Sequence, residues 1–139
     1  MATKKKMLQA AAGVGGAGLD ITEVFSTYLY DGNGSAQTIT NGIDLDGEGG
    51  LVWFKRRGDY GDNRLLDTER GVSNFIQSNT TDQAYTYSGY GVTSFRSDGF
   101  TVTDNAGGSY GVNGNVNTDA ANYYASWTFR KAPKFFDVV

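Results

Sequence analysis

The turn Asp44-Leu45-Asp46-Gly47-Glu48 opens as an EF-hand calcium loop does, with carboxylates alternating toward a glycine. The ligand such a loop needs at its twelfth position is missing, and its flanks are strand-like. The segment therefore reads as a solvated hairpin turn, and no metal or other cofactor is expected. Asp59, Asp62 and Asn63 form a second oxygen-rich loop where Ca²⁺ could sit at a rim. Asp67 and Glu69 share a strand face and are the best carboxylate pair for glycoside cleavage. Arg64 and Arg70 stand beside them, and a surface ion-pair ladder explains the same four residues. With no histidine and no cysteine, thiolate and imidazole metal sites, cysteine nucleophiles and every Ser-His-Asp triad are excluded. No glycine cluster follows a strand and opens a helix, so phosphate and dinucleotide loops are absent as well. No catalytic residue is identified, and the chain is not expected to be an enzyme.

What remains is aromatic. Tyr85, Tyr87, Tyr90 and Tyr110 fall in or near turns, where rings flanked by Asn and Asp can stack on sugar faces. The same rings could simply pack the rim of a closed sheet pair. Asn33-Gly34-Ser35 and Asn79-Thr80-Thr81 fit the glycosylation acceptor pattern, which is frequent by chance.

The elements that would position these residues are strands. Twenty glycines against one proline, with 14% aromatic residues in 139, describe a chain that turns often and packs large rings between its turns. Short β-rich runs cover 23–30, 35–41, 51–57, 64–69, 73–79, 84–88, 92–96, 100–104 and 122–130, and Asp98-Gly99 marks the strongest hairpin. In the last run, Tyr123, Ala125, Trp127 and Phe129 share one face, expected to be core. Tyr124, Ser126, Thr128 and Arg130 share the other, expected to be wet. This spacing predicts an all-β fold, an antiparallel β-sandwich of the jelly-roll or concanavalin-like kind over 19–132. Trp53 and Trp127 should be buried, and no helix should exceed two turns.

Residues 1–18 carry no pattern that could bury a face and read as an extended N-terminal arm. Lys4, Lys5 and Lys6 supply charge, Met7 and Leu8 the sizeable apolar side chains, and Ala10, Ala11 and Ala12 permit close backbone approach. Net charge is -3, and once those lysines are set aside nine basic side chains face fifteen acidic ones. Such an acidic body cannot gather phosphates by counterion release, so nucleic acid is not an expected partner. No apolar run is long enough to span a bilayer, and no membrane partner is expected. After Pro133, Lys134-Phe135-Phe136-Asp137-Val138-Val139 is expected either to pair back onto the sheet or to act as a linker or first strand of a following domain.

Taken together, KKKMLQAAAG, LVWFKRR, RLLDTERG, SNTTD, SFRSDGF and YYASWTFRKAPKFFDVV resemble the N-terminal part of large virion fibre proteins of marine bacteriophages, over essentially the whole chain. Those proteins carry laminin-G-like or concanavalin-like sandwiches and are usually longer, which implies that this chain is a fragment or the ordered start of a longer fibre. The resemblance implies a structural virion protein made in the host cytoplasm. Its arm, Lys4 to Ala12, would dock to other virion proteins at the tail or head-tail junction, and its sandwich would pack in a homo-oligomer, a trimer by expectation. The alternative is a carbohydrate-binding module that recognises host surface glycan through Tyr85, Tyr87, Tyr90 and Tyr110.

Overall fold

The computed structural model describes residues 18–58, 61–88, 90–104, 111–113 and 123–139. The arm residues Lys4, Lys5, Lys6, Met7, Leu8, Ala10, Ala11 and Ala12 lie outside the described residues, as do Asp59, Tyr110 and the side chain of Tyr90.

Asp20 accepts the Thr22 N–H at 3.0 Å and so caps a single helical turn, α1 (Ile21–Val24). Among the described residues nine strands follow: β1 (Phe25–Asp31), β2 (Gln37–Thr40), β3 (Gly50–Arg56), β4 (Arg64–Asp67), β5 (Asn74–Gln77), β6 (Tyr85–Thr86), β7 (Tyr90–Arg96), β8 (Gly99–Asp104) and β9 (Tyr123–Arg130). They form two antiparallel sheets packed as a sandwich, one of six strands in the order β1-β9-β3-β4-β5-β6 and one of three in the order β2-β8-β7. The nine runs expected from the sequence each overlap one of these strands.

The β7-β8 hairpin turns through Ser97 and Asp98, and Gly99 pairs with Arg96 as the first residue of β8. Glycine is required there by β2 on the other side. A Cβ at Gly99 would lie 2.0 Å from the Ile39 carbonyl oxygen, so only a bare backbone lets β2 approach.

Between the sheets lies one apolar cluster. Val52, Phe54, Leu66, Tyr30 and Tyr124 project from the six-stranded sheet, Ile39, Val92, Phe100 and Val102 from the three-stranded one, and Ile43 and Leu45 from the loop after β2. Phe54 meets Phe100 edge to face across the gap, with ring centroids 5.4 Å apart.

The two faces of β9 are inverted relative to the sequence expectation. Tyr124, Ser126 and Thr128 are buried in the interior, whereas Trp127 and Phe129 point outward and are only partly buried. Trp53 likewise lies outside the core, as the cross-strand partner of Trp127. The inversion has a packing reason. On the inner face Phe54 stands opposite Ser126 and Val52 opposite Thr128, so large side chains on β3 are matched by small ones on β9. The buried Thr128 hydroxyl accepts a hydrogen bond from Asn41 Nδ2 at 2.8 Å, so its polarity is satisfied.

Residues 111–113 fasten the interior from one side. The Tyr30 hydroxyl donates to the Val112 carbonyl, Asn113 Nδ2 donates to Asn33 Oδ1 and the Ser35 carbonyl, and Arg64 Nη1 donates to the Gly111 carbonyl at 3.0 Å. Burial pushes the Tyr30 phenol well above its ordinary value, and neighbouring Tyr124 adds to the effect.

The chain's last residues fold back on themselves without adding a strand. Ala132 bridges Phe136 across a tight turn, the Phe136 ring packs 5.5 Å from Phe129, and Lys131 Nζ bonds Asp137 at 3.2 Å.

Candidate functional site

The short strand β6 ends the six-stranded sheet, and its pairing with β5 sets Tyr85 directly opposite Phe75. Tyr87 lies two residues on, hence on the same face, and its N–H donates to the Ser73 carbonyl at 2.9 Å. Phe75, Tyr85 and Tyr87 therefore gather with centroids 5.4, 6.0 and 6.1 Å apart and planes within 25° of one another. Phe75 is 2% exposed and belongs to the core, Tyr85 is partly buried against it, and Tyr87 is 40% exposed. Below them the Arg64 guanidinium sits 5.0 Å from the Phe75 ring centre.

These rings wall a cleft of about 230 Å³ whose remaining lining is Asp62, Gln77, Thr80 and Asp82. The polar groups are held in a network. Asp62 accepts from Gln77 Nε2 at 3.0 Å through one oxygen and from Asn79 Nδ2 at 2.8 Å through the other, and Thr80 Oγ1 donates to Gln77 Oε1 at 3.3 Å. On the opposite wall the Tyr85 hydroxyl donates to Asp82 Oδ2 at 2.8 Å. That hydrogen bond, followed by desolvation and the negative charge of Asp82, raises the Tyr85 pKa, so the phenol remains a neutral donor at physiological pH.

Of the four tyrosines singled out in the sequence, the structure brings Tyr85 and Tyr87 together. Tyr90 opens β7 in the other sheet. Sequence reasoning missed Gln77 and Asp82, and it placed Asp62 in a calcium-type loop when its partners are two side-chain amides. The register that pairs Arg64 with Gln77 puts Asp62 and Asn79 at the same end of the β4-β5 hairpin, and no single strand of the sequence states it.

The other candidates disperse. Asp67 is fully buried and paired with Arg70, while Glu69 turns away to Lys131 at 3.6 Å, so the two carboxylates do not converge on a substrate. Asp44 Oδ1 accepts the Gly47 N–H at 2.7 Å and orders its own turn. Among the described residues no three acidic side chains gather as a metal site. Both side-chain atoms of Asn79 are engaged, with Asn63 N–H and Asp62. A larger open hollow of about 540 Å³ lies against the turn 131–137, walled almost wholly by that one segment.

The second notable surface is the outward face of the six-stranded sheet. Register places Phe25, Phe129 and Leu51 in one row across it, with Thr27, Trp127, Trp53 and Leu65 in the next. Thr27 is exposed and the others are partly buried, Phe129 against Phe136 as well as Phe25, and Trp53 and Trp127 lie 5.6 Å apart. At the margin Leu29 is 58% and Tyr123 47% exposed. β1 is the edge strand of this sheet, and among the described residues none pairs with its outer side.

Residues 20–134 match the model of a family described as a domain of unknown function, DUF7483. The chain belongs to that family. No curated protein and no solved structure matches it. The matched segment takes in both sheets, the edge cleft and the aromatic outer face.

Proposed function

We propose that this DUF7483 chain is a structural virion component, the N-terminal anchoring region of a bacteriophage tail fibre that docks to the tail or head-tail junction. The observation that carries the reading is the outer face of the six-stranded sheet. A sheet with its core on one side ordinarily turns a polar face to water. Here the outward rows hold Phe25, Leu51 and Phe129, then Thr27, Trp53, Leu65 and Trp127, with Leu29 on the edge strand itself, which among the described residues has no partner on its outer side. An apolar face next to an open edge suits packing against further protein chains, as in a fibre built of several copies. The resemblance to marine phage fibre proteins supports the same reading. In this role the basic arm, Lys4 to Leu8, meets an acidic docking surface while the sandwich contacts its own copies.

Deletion of residues 2–12 tests the anchor. The sandwich should keep its melting transition, while purified phage particles should lose the protein. Incorporation at the normal copy number would remove the arm from the docking role. Leu29→Glu with Trp127→Glu tests the face, because these changes should leave isolated chains folded and reduce their self-association in sedimentation.

A further inference from the structure

We infer that the cleft beside β5 and β6 is a binding site for a neutral glycan, with Tyr87 and Tyr85 as the stacking platform and Asp62, Gln77 and Asp82 as the hydroxyl-binding rim. This inference concerns a different surface from the assembly face and stands whether or not the chain belongs to a fibre.

Three properties of the cleft select the ligand. The first is ring geometry. Tyr85 and Tyr87 lie within 18° of parallel, and Phe75 backs both within 25°. Such rings present a platform to a flat apolar C–H face, like that of a pyranose, and do not form the box of crossed rings that encloses a quaternary ammonium.

The second is charge. Among the described residues the cleft is lined by two carboxylates and by no Lys or Arg, so an anionic sugar, a phosphate or a carboxylate ligand meets repulsion there. Hydroxyl groups are the complementary partners, because O–H donors to a carboxylate form short, charge-assisted hydrogen bonds.

The third is preorganisation with spare capacity. Each Asp62 oxygen accepts one amide hydrogen, which fixes the carboxylate and leaves a second lone pair on each. Among the described residues Asp82 uses only Oδ2, for the Tyr85 hydroxyl, so Oδ1 points to no partner. A rim fixed before the ligand arrives costs little ordering entropy on binding. Phe75 belongs to the core and Tyr85 packs partly against it, whereas Tyr87 is 40% exposed and offers its ring surface to a ligand.

The test is an NMR titration of the full chain, followed on the backbone amides of Tyr85 and Tyr87 and the side-chain amide of Gln77. The probes are hexasaccharides of glucose, mannose and galactose, with sialyllactose as the anionic and tetramethylammonium as the cationic comparison. At least one neutral hexasaccharide should shift these signals saturably in the millimolar range typical of one small platform, roughly 1 mM. Tyr87→Ala and Asp82→Asn should each weaken that binding about tenfold, while Tyr87→Phe retains most of it. Both positions are exposed, and unchanged melting transitions would show that the variants are folded. The inference is overturned if no neutral hexasaccharide shifts the cleft signals, if tetramethylammonium or sialyllactose does so as strongly, or if sugar binding survives both Tyr87→Ala and Asp82→Asn.

Discussion

Thr128→Val decides by its sign which face of β9 is the core. The substitution keeps volume and β-branching and removes only Oγ1. At an exposed strand position it would be neutral or slightly stabilising, because valine is at least as good a strand former. In the structure Thr128 is fully buried and Oγ1 accepts Asn41 Nδ2 at 2.8 Å. Losing the acceptor leaves that amide hydrogen without its partner inside the protein, a cost of about 1–3 kcal/mol. The added methyl returns less than about 1 kcal/mol of transfer free energy. The net expectation is a loss of about 1–2 kcal/mol, which for a domain of this size lowers the melting temperature by roughly 3–8 °C. Urea unfolding of wild type, Thr128→Val, Asn41→Ala and the double variant would measure both the loss and its coupling. Asn41 Oδ1 also accepts the Ile43 N–H at 3.1 Å, so Asn41→Ala carries a turn cost of its own that the cycle subtracts. A Thr128→Val protein as stable as wild type, or more so, would refute the inward assignment of Thr128.

Gly99→Ala should destabilise by about 3 kcal/mol or more, because the new Cβ collides with the Ile39 carbonyl and parts β2 from β8; Gly71→Ala, at φ +81° in open space, should cost only about 1 kcal/mol by denaturant unfolding. Tyr30→Phe should lose about 1–2 kcal/mol through the abandoned Val112 carbonyl, and a thermal melt unchanged from wild type would show that this bond contributes nothing. Asp82→Asn should bring the Tyr85 pKa down toward its ordinary value of 10.0, read as the ultraviolet difference titration against Tyr85→Phe. Because the Tyr85 pKa is raised on folding, the associated stability is present below the unfolded-state value and is lost as pH rises through the folded one, and Asp82→Asn should flatten that alkaline decline.

Strand positions were legible because turn chemistry brackets every run: DGNG after β1, DGEGG before β3 and SDG between β7 and β8. Which face of a strand turns inward was not legible. Period-2 alternation separates two sets of side chains without saying which one meets the opposite sheet, and bulk pointed the wrong way in β9. Cross-strand size matching decides it, Phe54 against Ser126 and Val52 against Thr128, and that depends on a register no single strand contains. The cleft was half legible for a similar reason. Tyr85 and Tyr87 announce themselves as turn-flanking rings two residues apart, but Asp62 and Asn79, seventeen positions apart, become neighbours only once the β4-β5 hairpin closes.

The grip on residues 111–113 changes how the connection between β8 and β9 behaves. Between β8 and β9 in the sequence, Val112 and Asn113 are riveted to β1 and the segment after it through Tyr30, Asn33 and Ser35, with Arg64 holding Gly111. In sequence this leaves one span of residues on each side of a fixed pier, between β8 of one sheet and β9 of the other. Closure entropy grows only logarithmically with span length, so residues added on either side of the pier would lengthen one span and leave the other and the strand register untouched. Natural length variation should accordingly collect on the two sides of 111–113 and avoid the pier itself.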